Sequence, residues 1–342
     1  MEPLTVADFE TLARARLDDN AWEYIRGGAG DETTLRENIE AFTRWKLRPR
    51  VLSDVGAVDT RTTVLGTEVA SPVLVAPVAL QKLAHPDGEA ATARAAAAAG
   101  TIMCLSTSST MRPAAVAAAA PGAPRWFQVY VFNDRGVTQA LIDEARAHGY
   151  AALVLTVDTP ILGRREGALR VGFHVPEEFE LAGDIFTDLS AGVTWRDLEW
   201  LAGHGLPVVL KGVLTAEDAR LAVEHGAAAV VVSNHGGRQL DGVAASVDAL
   251  PEVAEAVDGR VEVLLDGGVR RGVDVLRSLA LGARAVLVGR APIWGLAAAG
   301  EDGVRAVLDL LQKEVELGLM LLGCSSPAQV TRAHVALRSW KA

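Results

Sequence analysis

Eight short, nearly continuous apolar runs recur along the chain, at 72–78, 101–106, 125–131, 151–157, 206–211, 228–233, 261–266 and 283–288. A strand with one wet face alternates polar and apolar residues, whereas a strand covered on both faces does not need to. Helical patterns lie between them, at 87–99, 112–119, 134–148, 194–203, 215–225, 246–257 and 271–281. Eight such β–α units predict an α/β chain folded as a (β/α)8 TIM barrel. A doubly wound sheet is the alternative. The count of eight and the lack of a GxGxxG segment after the first run weigh against it.

Residues 1–70 precede this pattern and read as an N-terminal helical extension covering one end of the barrel. One helix is expected over 5–27, with Thr5 as N-cap and Gly27-Gly28 as its stop, and a second over 31–44. Residues 160–194 are polar and weakly periodic, and read as a loop across the barrel mouth. With no linker and no repeat beyond the β–α unit, residues 1–342 are expected to form a single domain.

Composition excludes several classes. The 33 basic and 43 acidic residues give a net charge of -10, which argues against a nucleic-acid surface. No apolar run is long enough for a membrane span, and Met1 to Leu4 lacks a signal-peptide start. Ser339 to Ala342 carries no peroxisomal or prenylation signal. The two cysteines, Cys104 and Cys324, sit in apolar surroundings without metal-type spacing, so no metal site is expected. A cytoplasmic enzyme is the expectation.

In such a barrel the functional side chains gather at the C-terminal strand ends. Those ends supply Pro77, Val78 and Ala79, then Ser106, then Gln128 and Tyr130, then Thr156 and Asp158 with Arg165 in the loop beyond. They continue with Lys211, Ser233 to Arg238, Asp266 to Arg270, and Gly289-Arg290. Gly267-Gly268 and Gly289 allow close backbone approach, and Arg270 and Arg290 offer forked donors, a combination suited to phosphate. Each piece alone is equally a turn glycine or a solvated arginine. His235 follows a buried strand, and Arg238 lies three residues on. The guanidinium can grip a carboxylate while the imidazole takes a proton nearby. Asp158 could orient that imidazole, or be a turn aspartate. Lys211 ends an apolar strand, where a charge is costly without an anionic or electron-rich partner.

These motifs together resemble the FMN-dependent 2-hydroxy acid oxidase and dehydrogenase family, which includes glycolate oxidase, mandelate dehydrogenase and hydroxymandelate oxidase. The resemblance runs from about Tyr24 to about Cys324. It is carried by Ala84 to Glu89, Leu155 to Pro160, Leu162 to Arg165, Leu210 to Gly212, Ser233 to Asp241, Asp266 to Arg270 and Val288 to Arg290. It implies FMN as cofactor, bound by Pro77, Val78, Ala79, Ser106, Gln128, Thr156, Lys211 and Ser233 around the ring. Asp266, Gly268, Arg270, Gly289 and Arg290 would hold the ribityl chain and phosphate. It implies His235 as base, paired with Asp158, with Arg238 and Arg165 on the substrate carboxylate. Tyr24 and Tyr130 would direct hydroxyls at the substrate. The implied partners are a small 2-hydroxy acid and oxygen or another electron acceptor, in a homotetramer or octamer.

Two departures bear on the substrate. Ser108 stands where glycolate-oxidising members carry a bulky tryptophan, so a larger or aromatic, mandelate-like acid is expected. The segment after the fourth strand is shorter than the family's, with only an acidic stretch from Glu177 to Asp188, so no membrane anchor is expected there. Two further readings compete: a flavin-dependent isomerase on a similar barrel, and a non-catalytic flavin-binding barrel. The joint presence of Tyr24, Tyr130, Asp158, Arg165, His235 and Arg238 speaks against both.

Overall fold

The computed structural model describes residues 3–179 and 188–337. Most of the acidic stretch 177–188, part of the mouth loop 160–194, and the chain ends 1–2 and 338–342 lie outside the described residues. The predicted runs form strands β1 (Val73–Val75), β2 (Met103–Leu105), β3 (Arg125–Val129) and β4 (Ala152–Thr156), followed by β5 (Val208–Val213), β6 (Ala229–Val232), β7 (Glu262–Asp266) and β8 (Ala285–Val288). All neighbours pair in parallel, and β8 pairs back onto β1, so the sheet closes into a (β/α)8 barrel.

Side chains of a strand alternate between its faces. Leu74, Cys104, Trp126, Val154, Val209, Val231, Leu264 and Leu287 therefore fill the barrel interior. Val75, Leu105, Phe127, Leu155, Leu210, Val232, Leu265 and Val288 point outward into the layer of helices. The same period carries one step further. Ser106, Gln128, Thr156, Lys211, Ser233 and Asp266 fall on the inward face at the C-terminal rim, and all are buried. A polar layer thus caps an apolar interior.

The extension departs from its predicted form. The first helix is two, α1 (Val6–Arg14) and α2 (Asp19–Arg26), because Asp18 caps a new start by accepting from Ala21 N at 2.7 Å. Thr5 is the expected N-cap, completed by Asp8 into a capping box, and Gly27 ends α2. The second predicted helix is α3 (Thr33–Glu40), followed by a 3-10 turn at Ala41–Arg44. A hairpin, Thr62–Val64 with Thr67–Val69, was not anticipated. Its Val64 and Val69 join the barrel interior, and Leu65 N donates to Glu262 Oε2 at 3.0 Å. The hairpin therefore closes the N-terminal end of the barrel, while α2 and α3 sit at the C-terminal mouth. A helix from Arg290 to Leu322, kinked at Ala299 and Gly300, also escaped the sequence reading. Its Gly295 and Gly303 pack backbone to backbone, which removes the side-chain periodicity that would reveal it.

α3 is fastened to the barrel by Asn38. Its amide exchanges two 2.8 Å hydrogen bonds with the Asn234 amide, and Asn38 Oδ1 also accepts from Ser246 N. Gly237 and Gly268 make room for this helix. Both have positive φ, and a Cβ on them would lie 2.6 Å from Leu35 N and 1.9 Å from Asn38 O, respectively. These glycines, expected to admit a ligand, are required first by α3. Asn38→Ala is expected to cost about 1–3 kcal/mol, because buried amide groups lose partners. Urea unfolding of the apoprotein checks this.

Candidate active site

One cavity opens at the C-terminal mouth of the barrel. Of the predicted site residues, all but Asp158 and Ser233 line it: Tyr24, Pro77, Val78, Ala79, Ser106, Ser108, Gln128, Tyr130, Thr156, Arg165, Lys211, His235, Arg238, Asp266, Gly268, Arg270, Gly289 and Arg290. The two exceptions stand directly behind it. Asp158 Oδ1 lies 2.8 Å from His235 Nδ1, and Ser233 Oγ accepts from Lys211 Nζ at 3.0 Å and from His235 N at 3.1 Å.

β6 delivers His235 through an unusual turn. His235, Gly236 and Gly237 all have positive φ, at 58°, 63° and 74°. This conformation is rare for a residue with a side chain, and such strain clusters at functional sites. A carboxylate only accepts hydrogen bonds, so Asp158 fixes the proton of neutral His235 on Nδ1 and leaves Nε2 with its lone pair. Burial lowers the His235 pKa from its usual value. Asp158 opposes that shift and Lys211 reinforces it. Burial would raise the Asp158 pKa, but His235 and Lys211 hold it below the ordinary carboxylate value.

Lys211 Nζ pairs with Asp266 Oδ2 at 3.1 Å, with both side chains almost fully buried. Burial works against its charge, but Asp266 and Asp158 outweigh that and raise its pKa. Tyr130 is pushed up to about 12 by burial and by Asp158, so the phenol keeps its proton.

The arginines are held by the extension. Arg238 Nη1 donates to Tyr24 O at 2.7 Å and Gly27 O at 2.9 Å, at the C-terminal end of α2. Arg290 donates to Ile25 O, Gly27 O and Gly236 O. Carbonyls at a helix C-terminus have no partners within the helix and carry negative potential, which suits a buried cation. The Arg238 guanidinium also lies 5.2 Å from the centre of the Tyr24 ring, whose other neighbour is Phe173, stacked at 4.5 Å. Arg165 Nε approaches Arg238 O at 3.5 Å, which brings the two arginines to one side of the cavity.

The cavity can be tested for a flavin phosphate. Arg270 and Arg290 bond backbone carbonyls here, and among the described residues neither forms an ion pair. Burial lowers both pKa values, and with Arg270 nearby that of Arg290 falls to about 9. A dianion between them would reverse that penalty. A Cβ on Gly289 would meet Val78 at 3.6 Å, an ordinary contact, so no protein atom requires glycine at this point of the wall. Higher up, Gln128 Nε2, Thr156 Oγ1 and Asp266 Oδ1 are buried without partners among the described residues, which calls for a ligand with a polar edge. Gln128 Oε1 is already fixed by Ser106 Oγ and Thr107 N, which leaves its amide nitrogen available. These donors and acceptors fit FMN.

Sequence reasoning missed several contributors. Ile25, Leu189 and Ile293 form apolar walls that no motif marks, and Leu162 stands in a quoted motif without a role. Phe173 behind Tyr24 lies in the mouth loop 160–194, outside every quoted motif. Glu89 was part of a quoted motif without a role. Its carboxylate accepts from Gln81 N, Thr110 N and Thr110 Oγ1, tying together the loops after β1 and β2.

Fold and cavity define a flavin-binding barrel oxidoreductase. The model of the FMN-dependent dehydrogenase family matches residues 13–337. The chain is 50% identical to an L-lactate oxidase of Nostoc sp., covering 98% of each chain. It is 46% identical to a glycolate oxidase of Spinacia oleracea, covering 98% of this chain and 96% of that one. A mandelate oxidase variant solved with (S)-mandelic acid superposes with a TM-score of 0.94 at 43% identity, covering 99% of this chain and 100% of that one. The chain belongs to the FMN-dependent dehydrogenase family, that of the FMN-dependent 2-hydroxy acid oxidases, and FMN is its cofactor. Among the described residues no helix is long and apolar enough to cross a membrane.

Proposed function

We propose that the protein oxidises an (S)-2-hydroxy acid to the 2-oxo acid and returns the electrons to oxygen as hydrogen peroxide. The observation that carries this reading is the placement of His235, with Asp158 bonded behind its ring, beside two half-buried arginines in one cavity. Arg238 and Arg165 hold the substrate carboxylate, and Tyr24 and Tyr130 direct their hydroxyls at its polar end. Oxidation removes two electrons and two protons from C2 and its hydroxyl. FMN, when bound, accepts the electron pair and passes it to the acceptor. His235 Nε2 takes a proton, and Asp158 stabilises the imidazolium that results. Arg270, Arg290, Asp266, Gly268 and Gly289 would hold the phosphate and ribityl chain. Pro77, Val78, Ala79, Ser106, Gln128, Thr156, Lys211 and Ser233 would surround the ring, with the Lys211 charge beside its polar edge.

For the substrate we propose a medium-to-large or aromatic acid of the mandelate type. Ser108 is a small residue in the cavity wall, and a structural relative was solved with (S)-mandelic acid. A lactate- or glycolate-preferring oxidase is the second reading, favoured by the identity to the lactate and glycolate oxidases. We further infer that residues 1–342 work as one unit, since α2 and α3 of the extension bind the site loops. The free, buried thiols Cys104 and Cys324 fit a cytoplasmic setting. Leu317, Met320 and Leu321, exposed on the last helix, fit assembly into a tetramer or octamer.

His235→Ala should retain FMN and lose at least about 100-fold in turnover, the scale of a general base. Near-normal turnover would overturn the assignment. The base must be neutral, and its pKa is lowered by burial. In the native enzyme kcat/KM should therefore stay level as pH falls through 6.5, the ordinary histidine value, and decline only below it. Specificity constants for mandelate, lactate and glycolate test the substrate. The highest value is expected for mandelate, and a clear preference for glycolate or lactate would establish the second reading.

A further inference from the structure

One buried hydroxyl beside the His235–Asp158 pair has no part in the reading above. Thr159 follows Asp158 in the loop after β4 and is only 6% exposed. Its Oγ1 donates to Asp158 Oδ1 at 3.0 Å, the oxygen that also receives His235 Nδ1 at 2.8 Å. The same hydroxyl lies 3.4 Å from Nδ1 and faces the Tyr130 phenol. The second carboxylate oxygen, Asp158 Oδ2, is buried without a partner among the described residues. Both bonds to this carboxylate therefore fall on one oxygen, and Thr159 supplies one of them.

The consequences follow from elementary chemistry. A carboxylate with one donor can swing about its Cβ–Cγ bond. A second donor anchored on the next residue restricts that swing and so fixes the direction of the bond to Nδ1. Each donor also spreads the negative charge and makes the carboxylate less basic. A less basic Asp158 holds an imidazolium less strongly.

We propose that Thr159 is a positioning residue: its hydroxyl locks the Asp158 carboxylate and, through it, sets the orientation and proton affinity of His235. This rests on the reading of His235 as the base. The other charged and titratable groups facing His235 are Lys211 from β5, Tyr130 from β3, Arg165 from the loop after β4 and Arg238 from its own loop. Substitution at 159 removes none of them, and only Tyr130 also faces the hydroxyl that is lost.

Thr159→Ser and Thr159→Ala both lack the methyl group and differ only in the hydroxyl, and Thr159→Val keeps the shape without it. Each holoenzyme is prepared with ring-labelled histidine, and the His235 signal is assigned by its loss in His235→Gln. The midpoint of the imidazole titration is read by NMR, and the acid limb of kcat/KM is measured in parallel. The alanine and valine variants should move the midpoint up by about half to one pH unit, less than the ~1–2 units of one hydrogen bond to a charged group because the hydroxyl acts on His235 through Asp158. The acid limb should move with it, and serine should restore both. Should valine not fold with FMN, the serine and alanine pair decides alone. An unmoved midpoint in alanine, or a serine variant that behaves like alanine, overturns the proposal. A midpoint that moves while the acid limb stays in place supports the Thr159 contact and overturns instead the reading of His235 as base.

Discussion

The site depends on one contact: the carbonyls at the end of α2 hold the guanidiniums of Arg238 and Arg290. Each arginine comes from a different strand end, and α2 comes from outside the barrel. Burying a guanidinium is costly unless its donors are satisfied. Here neutral carbonyls supply that satisfaction, so the positive charge is held in place without being cancelled. A cavity with uncompensated cations is prepared for anions, and Arg165 and Arg270 extend the same field along its length.

Beneath this field lies the polar layer at the strand ends. Its position follows from the period of two along each strand, which puts Thr156, Lys211, Ser233 and Asp266 on the same inward face. Lys211 differs from the arginines, because Asp266 neutralises it at 3.1 Å. The cavity thus keeps some charges open and closes others. His235 lies where the two regimes meet, with Asp158 behind its ring and the arginines beside it.

The barrel was legible in the sequence because its signals are local. Eight apolar runs marked the strands, and the strand-end rule then selected residues that the fold brings into one cavity. What escaped was long-range or featureless. No local pattern shows that Asn38 will pair with Asn234, that Gly237 and Gly268 must admit α3, or that α2 carbonyls will meet Arg238 and Arg290. The break between α1 and α2 turned on one capping aspartate, Asp18. The helix from Arg290 was hidden by glycines that pack backbone on backbone. Thr159 stood inside a quoted motif, but only its geometry against Asp158 Oδ1 gives it a role.

The central claim is that the half-buried arginines of the cavity select an anionic hydroxy acid. The direct measurement is anaerobic mixing of the FMN-bound protein with (S)-mandelate or with its uncharged methyl ester, followed by flavin absorbance. The free acid should bleach the flavin at least about 100-fold faster than the ester, the scale of two lost charge-assisted hydrogen bonds. Equal rates for acid and ester, or no bleaching by mandelate, lactate or glycolate, would contradict the account.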